Sequence, residues 1–148
     1  MSLSIPERLA AAHAGSNPTI ICRVPSGWVV LCDLQYLHGY SILLADPVAA
    51  SLNDLDPLRR AAFLDDMARI GDGLLEVTGA ARINYAICGN SDPFLHAHVM
   101  PRFSNEPEAV RRNHPWSYPQ AEMDANRFDP DRDREMMRRL ADAIQRRL

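Results

Sequence analysis

Between Asp56 and Gly79 the chain carries its strongest period. Phe63, Met67, Ile70, Leu74 and Val77 recur at steps of four and three, with Arg59, Asp65, Asp66, Arg69, Asp72 and Glu76 between them. That spacing lines the apolar set along one stripe of a long helix and leaves the charged set facing water. Asp56 before Pro57 reads as an N-cap with proline at the first helical position, and Gly79 as the stop. Gly71 and Gly73 weaken such a helix by roughly 1 kcal/mol each relative to alanine. A helix with one apolar side needs a surface to cover. Short β-branched runs at 19–24, 28–31 and 41–44 precede it, and runs at 82–88 and 95–102 follow it. Pro25-Ser26-Gly27 and the loop 89–93 are hairpin-length links. The fold class expected is α+β: an antiparallel sheet of about five strands, one long central helix and a C-terminal helix.

The ends are simpler. Ser4-Ile5-Pro6-Glu7 opens a short helix to about residue 12. Residues 105–130 are rich in Pro, Asn and Asp and read as an irregular surface excursion. A second amphipathic helix is expected over 131–148, with Met137, Leu140, Ile144 and Leu148 on its apolar side. At 148 residues the prior is one domain over 1–148, with its core in about 20–105.

A net charge of −3 argues against nucleic acid as a partner. All sixteen cationic side chains are Arg, so lysine Schiff bases and lysine phosphate loops are excluded. An anionic substrate must be met by His, Arg, backbone N–H groups or a metal. Cys22, Cys32 and Cys88 sit among apolar residues in no paired spacing, and each reads as a buried reduced thiol. With no apolar run near twenty residues the chain reads as cytoplasmic, without a membrane partner.

His96 and His98 form an H-x-H pair just before Pro101-Arg102. On a strand both imidazoles share one face, roughly 6–7 Å apart along the chain. Such a pair can be structural, bind a metal, or place one ring to attack while the other assists. Metal patterns built on H-x-H want a carboxylate shortly downstream, where this chain has Met100, Pro101, Arg102 and Phe103.

The longer run 84–102, Asn-Tyr-Ala-Ile-Cys-Gly-Asn-Ser-Asp-Pro-Phe-Leu-His-Ala-His-Val-Met-Pro-Arg, resembles the signature of the histidine triad family. It is most similar to the diadenosine-tetraphosphate-hydrolase-like branch, N-Y-x-x-x-G-N-x-x-P-H-x-H-x-H-x-x-P-R. Upstream, Gln35 to Gly39-Tyr40 resembles that branch's Q-x-x-x-G-Y stretch, so the likeness spans about 20–105. Two departures stand out. Phe94 occupies the first-histidine position, and Ala45-Asp46-Pro47-Val48 replaces a basic Lys-Arg-His run.

The resemblance implies hydrolysis or transfer at a nucleotide phosphoanhydride or phosphoramidate, through a covalent nucleotidyl–His96 intermediate. His96 takes the nucleophile position. A main-chain carbonyl at the first-histidine position would hold its ring proton, and Phe94 supplies one as well as any residue. His98, protonated, would bind the phosphate or give a proton to the leaving oxygen. Asn90 and Ser91 would supply neutral donors beside the Gly89 loop, Asn84 would lie near the phosphates, Asp33 near the ribose, and Gln35 further off. No metal or cofactor is implied, apart from Mg²⁺ travelling with a polyphosphate substrate. A homodimer joined at sheet edges is implied as well. A nucleotide-binding protein without turnover is the rival reading, and a purely structural protein a third. His38, Arg102, Trp116 and Tyr118 stay open between site and scaffold; His13 and His114 read as exposed bystanders.

Overall fold

Five strands form one antiparallel sheet in the order β1-β2-β3-β5-β4. The computed structural model describes residues 3–148. β1 (Ile20–Val24) and β2 (Gly27–Leu31) make the expected hairpin. Gly27 is there because a Cβ would meet the Leu44 carbonyl oxygen of the next strand at 1.8 Å. β3 is Ser41–Ala45, β4 Arg82–Ala86 and β5 His96–Arg102. β4 stops at Ala86, two residues short of the expected end, because its pairing ends opposite His98. The loop 87–95 is thereby released to curve around the β5 entrance.

The central helix α2 spans Pro57–Thr78. Asp56 caps it by accepting from the Leu58 and Arg59 N–H groups, and Gly79 ends it at φ 71°. Phe63, Ile70 and Leu74 are buried as the period requires. Asp66 departs from expectation. It is fully buried, and its carboxylate accepts from Ser26 N at 2.8 Å, Ser26 Oγ at 2.6 Å and Arg69 Nη1 at 2.9 Å. A charge can sit there because the turn between β1 and β2 and the Arg69 guanidinium together satisfy it. The two helix glycines buy close approach: a Cβ on Gly71 would lie 2.0 Å from the Tyr85 hydroxyl, and one on Gly73 3.0 Å from Leu140 Cδ1.

Leu140 belongs to the C-terminal helix α5 (Pro130–Gln145), whose buried side is Met136, Leu140, Ala143 and Ile144. The expected stripe was displaced by one position at its start. Met136 faces inward while Met137 is only partly buried, and Leu148 lies beyond the helix, half exposed. α2 and α5 together cover one sheet face through Val29, Leu31, Leu43, Ala97 and Val99. Each of these Val and Leu side chains contributes about 1.5–3 kcal/mol on burial.

The opposite face has two separate covers. α1 (Ile5–His13), opened by a Ser4–Glu7 capping box, lays Ile5 and Leu9 on Val30 and Leu44. The segment expected to be irregular holds α3 (Glu108–Arg111), a 3₁₀ turn at Pro115–Ser117 and α4 (Gln120–Ala125). Its prolines start these short helices, which is why no period long enough to read survives in the sequence. Tyr118 and Met123 from this segment cover Tyr40, Leu37 and Met100. Between the two covers a strip of sheet stays open. His96 and His98 stand on it. Among the described residues no helix is long and apolar enough to cross a membrane.

Candidate active site

Strand alternation along β5 sends Ala97 and Val99 to the helices and His96 and His98 to the opposite face. Leu44 pairs with His96 and Ile42 with His98 across β3, so aliphatic side chains floor the strip. The two ring centroids are 4.9 Å apart, with planes at 72°.

Each ring is fixed by its Nδ1. His96 Nδ1 lies 2.7 Å from the Phe94 carbonyl oxygen. A carbonyl only accepts, so Nδ1 carries the proton and Nε2 carries the lone pair. His98 Nδ1 lies 2.7 Å from the Tyr40 hydroxyl. Burial holds the Tyr40 pKa far above the usual phenol value, so that hydroxyl keeps its proton. The hydroxyl and the ring nitrogen share one hydrogen bond, and the tautomer that serves the site is the one in which Tyr40 donates to Nδ1 and His98 keeps its proton on Nε2. In that arrangement the neighbouring rings are opposite tautomers: one offers a lone pair, the other a donor.

His98 is also pushed down to about 4, by burial first and the nearby His96 second. This corrects the expectation of a protonated His98. At neutral pH it is a neutral hydrogen-bond donor, because a half-buried ring edged by Trp116 at 5.3 Å is poorly placed to hold charge.

Two clefts meet at these rings. An apolar one of about 300 Å³ runs between α1 and β3, lined by Ile5, Leu34, Ile42 and Leu44 with Cys32, Arg8 and Asp33. A second, of about 380 Å³, is lined by Cys88, Gly89, Asn90, Ser91 and Trp116. His96, His98 and Asp92 line both. Asp92 also accepts from Ile5 N at 3.0 Å, tying the start of α1 to the loop between β4 and β5.

Of the residues singled out from sequence, His96, His98, Asn90, Ser91 and Asp33 come together around these clefts. Asn84 does not: its Oδ1 accepts from Arg102 Nη1 at 2.8 Å, and it lines neither cleft. Gln35 is buried, with Nε2 donating to the Cys32 and Tyr40 carbonyls at 2.9 Å each and Oε1 accepting from Gly39 N at 3.0 Å. It shapes the turn that delivers Tyr40. Arg102 is scaffold too, paired in the interior with Glu106 at 3.1 Å and donating to the Val110 and Asn113 carbonyls. His38 borders a separate depression with Tyr36, Phe103 and Tyr118. Cys88 is exposed rather than buried, because the strand ends before it. Sequence reasoning missed Arg8 and the part played by Tyr40. Gly39-Tyr40 was visible as a motif, but nothing in it says that the hydroxyl reaches His98 across two strands. Among the described residues no three His, Cys, Asp or Glu side chains converge as a metal-binding group.

No protein-family model matches the sequence, and no curated protein matches it either. Solved structures do match, and several of them are histidine triad proteins. One from Marinobacter aquaeolei superposes with a TM-score of 0.73 at 19% identity, covering 95% of this chain and 94% of its own. One from Sinorhizobium meliloti gives 0.71 at 22% identity, covering 84% and 87%. A zinc-bound histidine triad family protein from Mycobacterium smegmatis gives 0.66 at 22% identity, covering 92% and 91%.

Proposed function

With the histidine triad fold as the frame, we propose that this chain acts on nucleotide phosphoanhydrides, as hydrolase or nucleotidyl transferase, through a covalent nucleotidyl–His96 intermediate. The observation that carries this reading is the Phe94 carbonyl on His96 Nδ1 at 2.7 Å. It leaves the attacking lone pair on Nε2 where a cleft with aliphatic side chains meets one that carries the Asn90 and Ser91 side chains. A nucleoside phosphate has the same division: a flat, largely apolar base on one side and an anionic chain on the other.

The steps balance without a metal-bound group. His96 Nε2 forms a bond to the α-phosphorus, and the phosphorus–oxygen bond to the leaving group breaks, its electron pair departing with the oxygen. The positive charge gained by the ring is delocalised to Nδ1–H on the Phe94 carbonyl. His98 Nε2–H and the Asn90 and Ser91 side chains are the donors placed to meet charge building on the non-bridging oxygens. Water then attacks phosphorus and gives up a proton to solvent, the phosphorus–nitrogen bond returns its pair to Nε2, and a nucleoside monophosphate leaves. Because His98 is neutral near pH 7, leaving groups that depart as anions suit this site better than an amine that must first gain a proton. A phosphoanhydride is thus preferred to a phosphoramidate. Mg²⁺ would enter with a polyphosphate substrate, and the β4 edge, where Tyr85 is exposed, is the place for a second copy of the chain to join.

A second reading, a nucleotide binder without turnover, is favoured by one feature: the first-histidine position holds the Phe94 ring, which packs toward α1 and can exchange no proton. Chromatographic product analysis with diadenosine polyphosphates, an adenosine phosphoramidate and nucleoside diphosphates separates the two. Turnover to a nucleoside monophosphate, reduced by about a thousandfold or more in His96→Ala, is the expected result. Unchanged turnover in that variant would refute His96 as nucleophile, and nucleotide affinity with no turnover would establish the binder.

A further inference from the structure

Three side chains of one short stretch tie α1 to His96. Asp92 accepts from the Ile5 N–H at 3.0 Å, at the start of α1. Phe94 packs its ring against the cluster of Ile5, Leu9, Val30 and Leu44, where α1 lies on the sheet. His96 lines both clefts, with its Nδ1 on the Phe94 carbonyl. Two members of that cluster also line the cleft between α1 and β3: Ile5 from the helix, and Leu44, the cross-strand partner of His96. The Phe94 main chain thus orients His96, while its ring supports the helix that walls the cleft. α1 is also tied by Arg8 to Asp33 and by His13 to Asp46, and both contacts are partly open to water. Long polar side chains at such positions follow a shift of the helix at little cost, whereas close-packed apolar groups do not.

We propose that Phe94 is a positioning residue whose ring holds α1 at a set height over the sheet, so that the cleft between α1 and β3 grips a nucleobase at a fixed distance from His96. The inference rests on the nucleotide reading above and gives the Phe94 ring a part in it. A smaller side chain at such a contact leaves a cavity into which its neighbours settle only in part. Here the neighbour is α1, so a smaller side chain lets one wall of the cleft move relative to His96. The carbonyl belongs to the main chain and survives any substitution, so the His96 proton stays on Nδ1. The loss therefore falls on the part of a ligand that the cleft holds, the base, and spares the phosphate.

Phosphorus NMR titration of the full chain with AMP and with ribose 5-phosphate, which lacks the base, tests this in the wild type, Phe94→Leu, Phe94→Val and Phe94→Ala. The wild type should bind AMP roughly tenfold or more tightly than ribose 5-phosphate. Phe94→Leu keeps most of the apolar volume and should hold that ratio within about twofold. Phe94→Val and Phe94→Ala should bring it to about threefold or less, with ribose 5-phosphate affinity unchanged. Should Phe94→Ala fail to fold, the step from Leu to Val carries the test. A ratio kept in Phe94→Val or Phe94→Ala would overturn the inference, because the ring would then only fill space. Equal weakening of both ligands would overturn it too, since the effect would then reach the phosphate. A wild type that binds both ligands equally would also overturn it, and the turnover test above would still decide the nucleotide reading. A wild type that binds neither would overturn the nucleotide reading itself and the inference with it.

Discussion

His96 and His98 are chemically the same side chain two positions apart, and their partners make them different reagents. The Phe94 carbonyl leaves one with a lone pair on Nε2; the Tyr40 hydroxyl shares a hydrogen bond with Nδ1 of the other. The carbonyl was implied by the family resemblance, and it survives the Phe94 replacement because any residue there supplies one. The hydroxyl was not, since it depends on how a turn built around Gln35 delivers Tyr40 beside β5. Tyr40→Phe should leave His98 Nδ1 without its donor, cost about 1–2 kcal/mol of stability and lower kcat roughly tenfold. Nitrogen-15 NMR of the His98 ring should then show mixed tautomers; an unchanged Nε2–H form would contradict the assignment. Acid stability reports on the same ring. His98 titrates at about 4 in the fold, below its usual 6.5, so between those values the unfolded chain binds more protons. The stability from keeping this ring neutral is fully present above pH 6.5, drains as pH falls toward 4, and is absent below it. Allowing for partial solvent contact, this amounts to on the order of 2 kcal/mol. Denaturant midpoints measured across that window should fall more steeply for the wild type than for His98→Gln.

Among the elements, the long helix and the hairpins were legible because burial on one side imposes a period. The segment after β5 was not, because its order comes from a buried ion pair and scattered apolar contacts rather than from any repeat. Arg102 and Glu106 are 6% and 5% exposed, and between them they hold Asn84, the Phe103 N–H, the Tyr118 hydroxyl and three loop carbonyls. Through that knot the excursion is seated so that Trp116 stands against His98. Arg102→Met leaves Glu106 buried without its cation and should destabilise the fold by about 3–5 kcal/mol, measured by chemical denaturation. A loss below 1 kcal/mol would show that the segment is held by its apolar contacts alone. Asp66 carries the same lesson inside a readable helix. Periodicity placed it in water, and the β1–β2 turn drew it inside, because Ser26 needed an acceptor for both its N–H and its hydroxyl.

For the whole molecule, the site is a consequence of how the sheet is covered. α2 and α5 fill one face; α1 and the 103–128 segment cover the other from two sides and do not meet over β5. The α+β class and the position of the H-x-H pair on one face could be read from alternation and spacing. That the pair would lie at the junction of two clefts could not, because both covers are set by long-range contacts such as Asp92 with Ile5. The central claim, that this junction makes His96 a nucleophile toward phosphorus, has one direct test. The protein would be mixed with a diadenosine polyphosphate, quenched in alkaline denaturant to preserve a phosphorus–nitrogen bond, and weighed intact by mass spectrometry. A nucleotidyl adduct that maps to His96 and is missing from His96→Ala is the expected result. Substrate turnover with no adduct on His96 at any quench time would contradict the account.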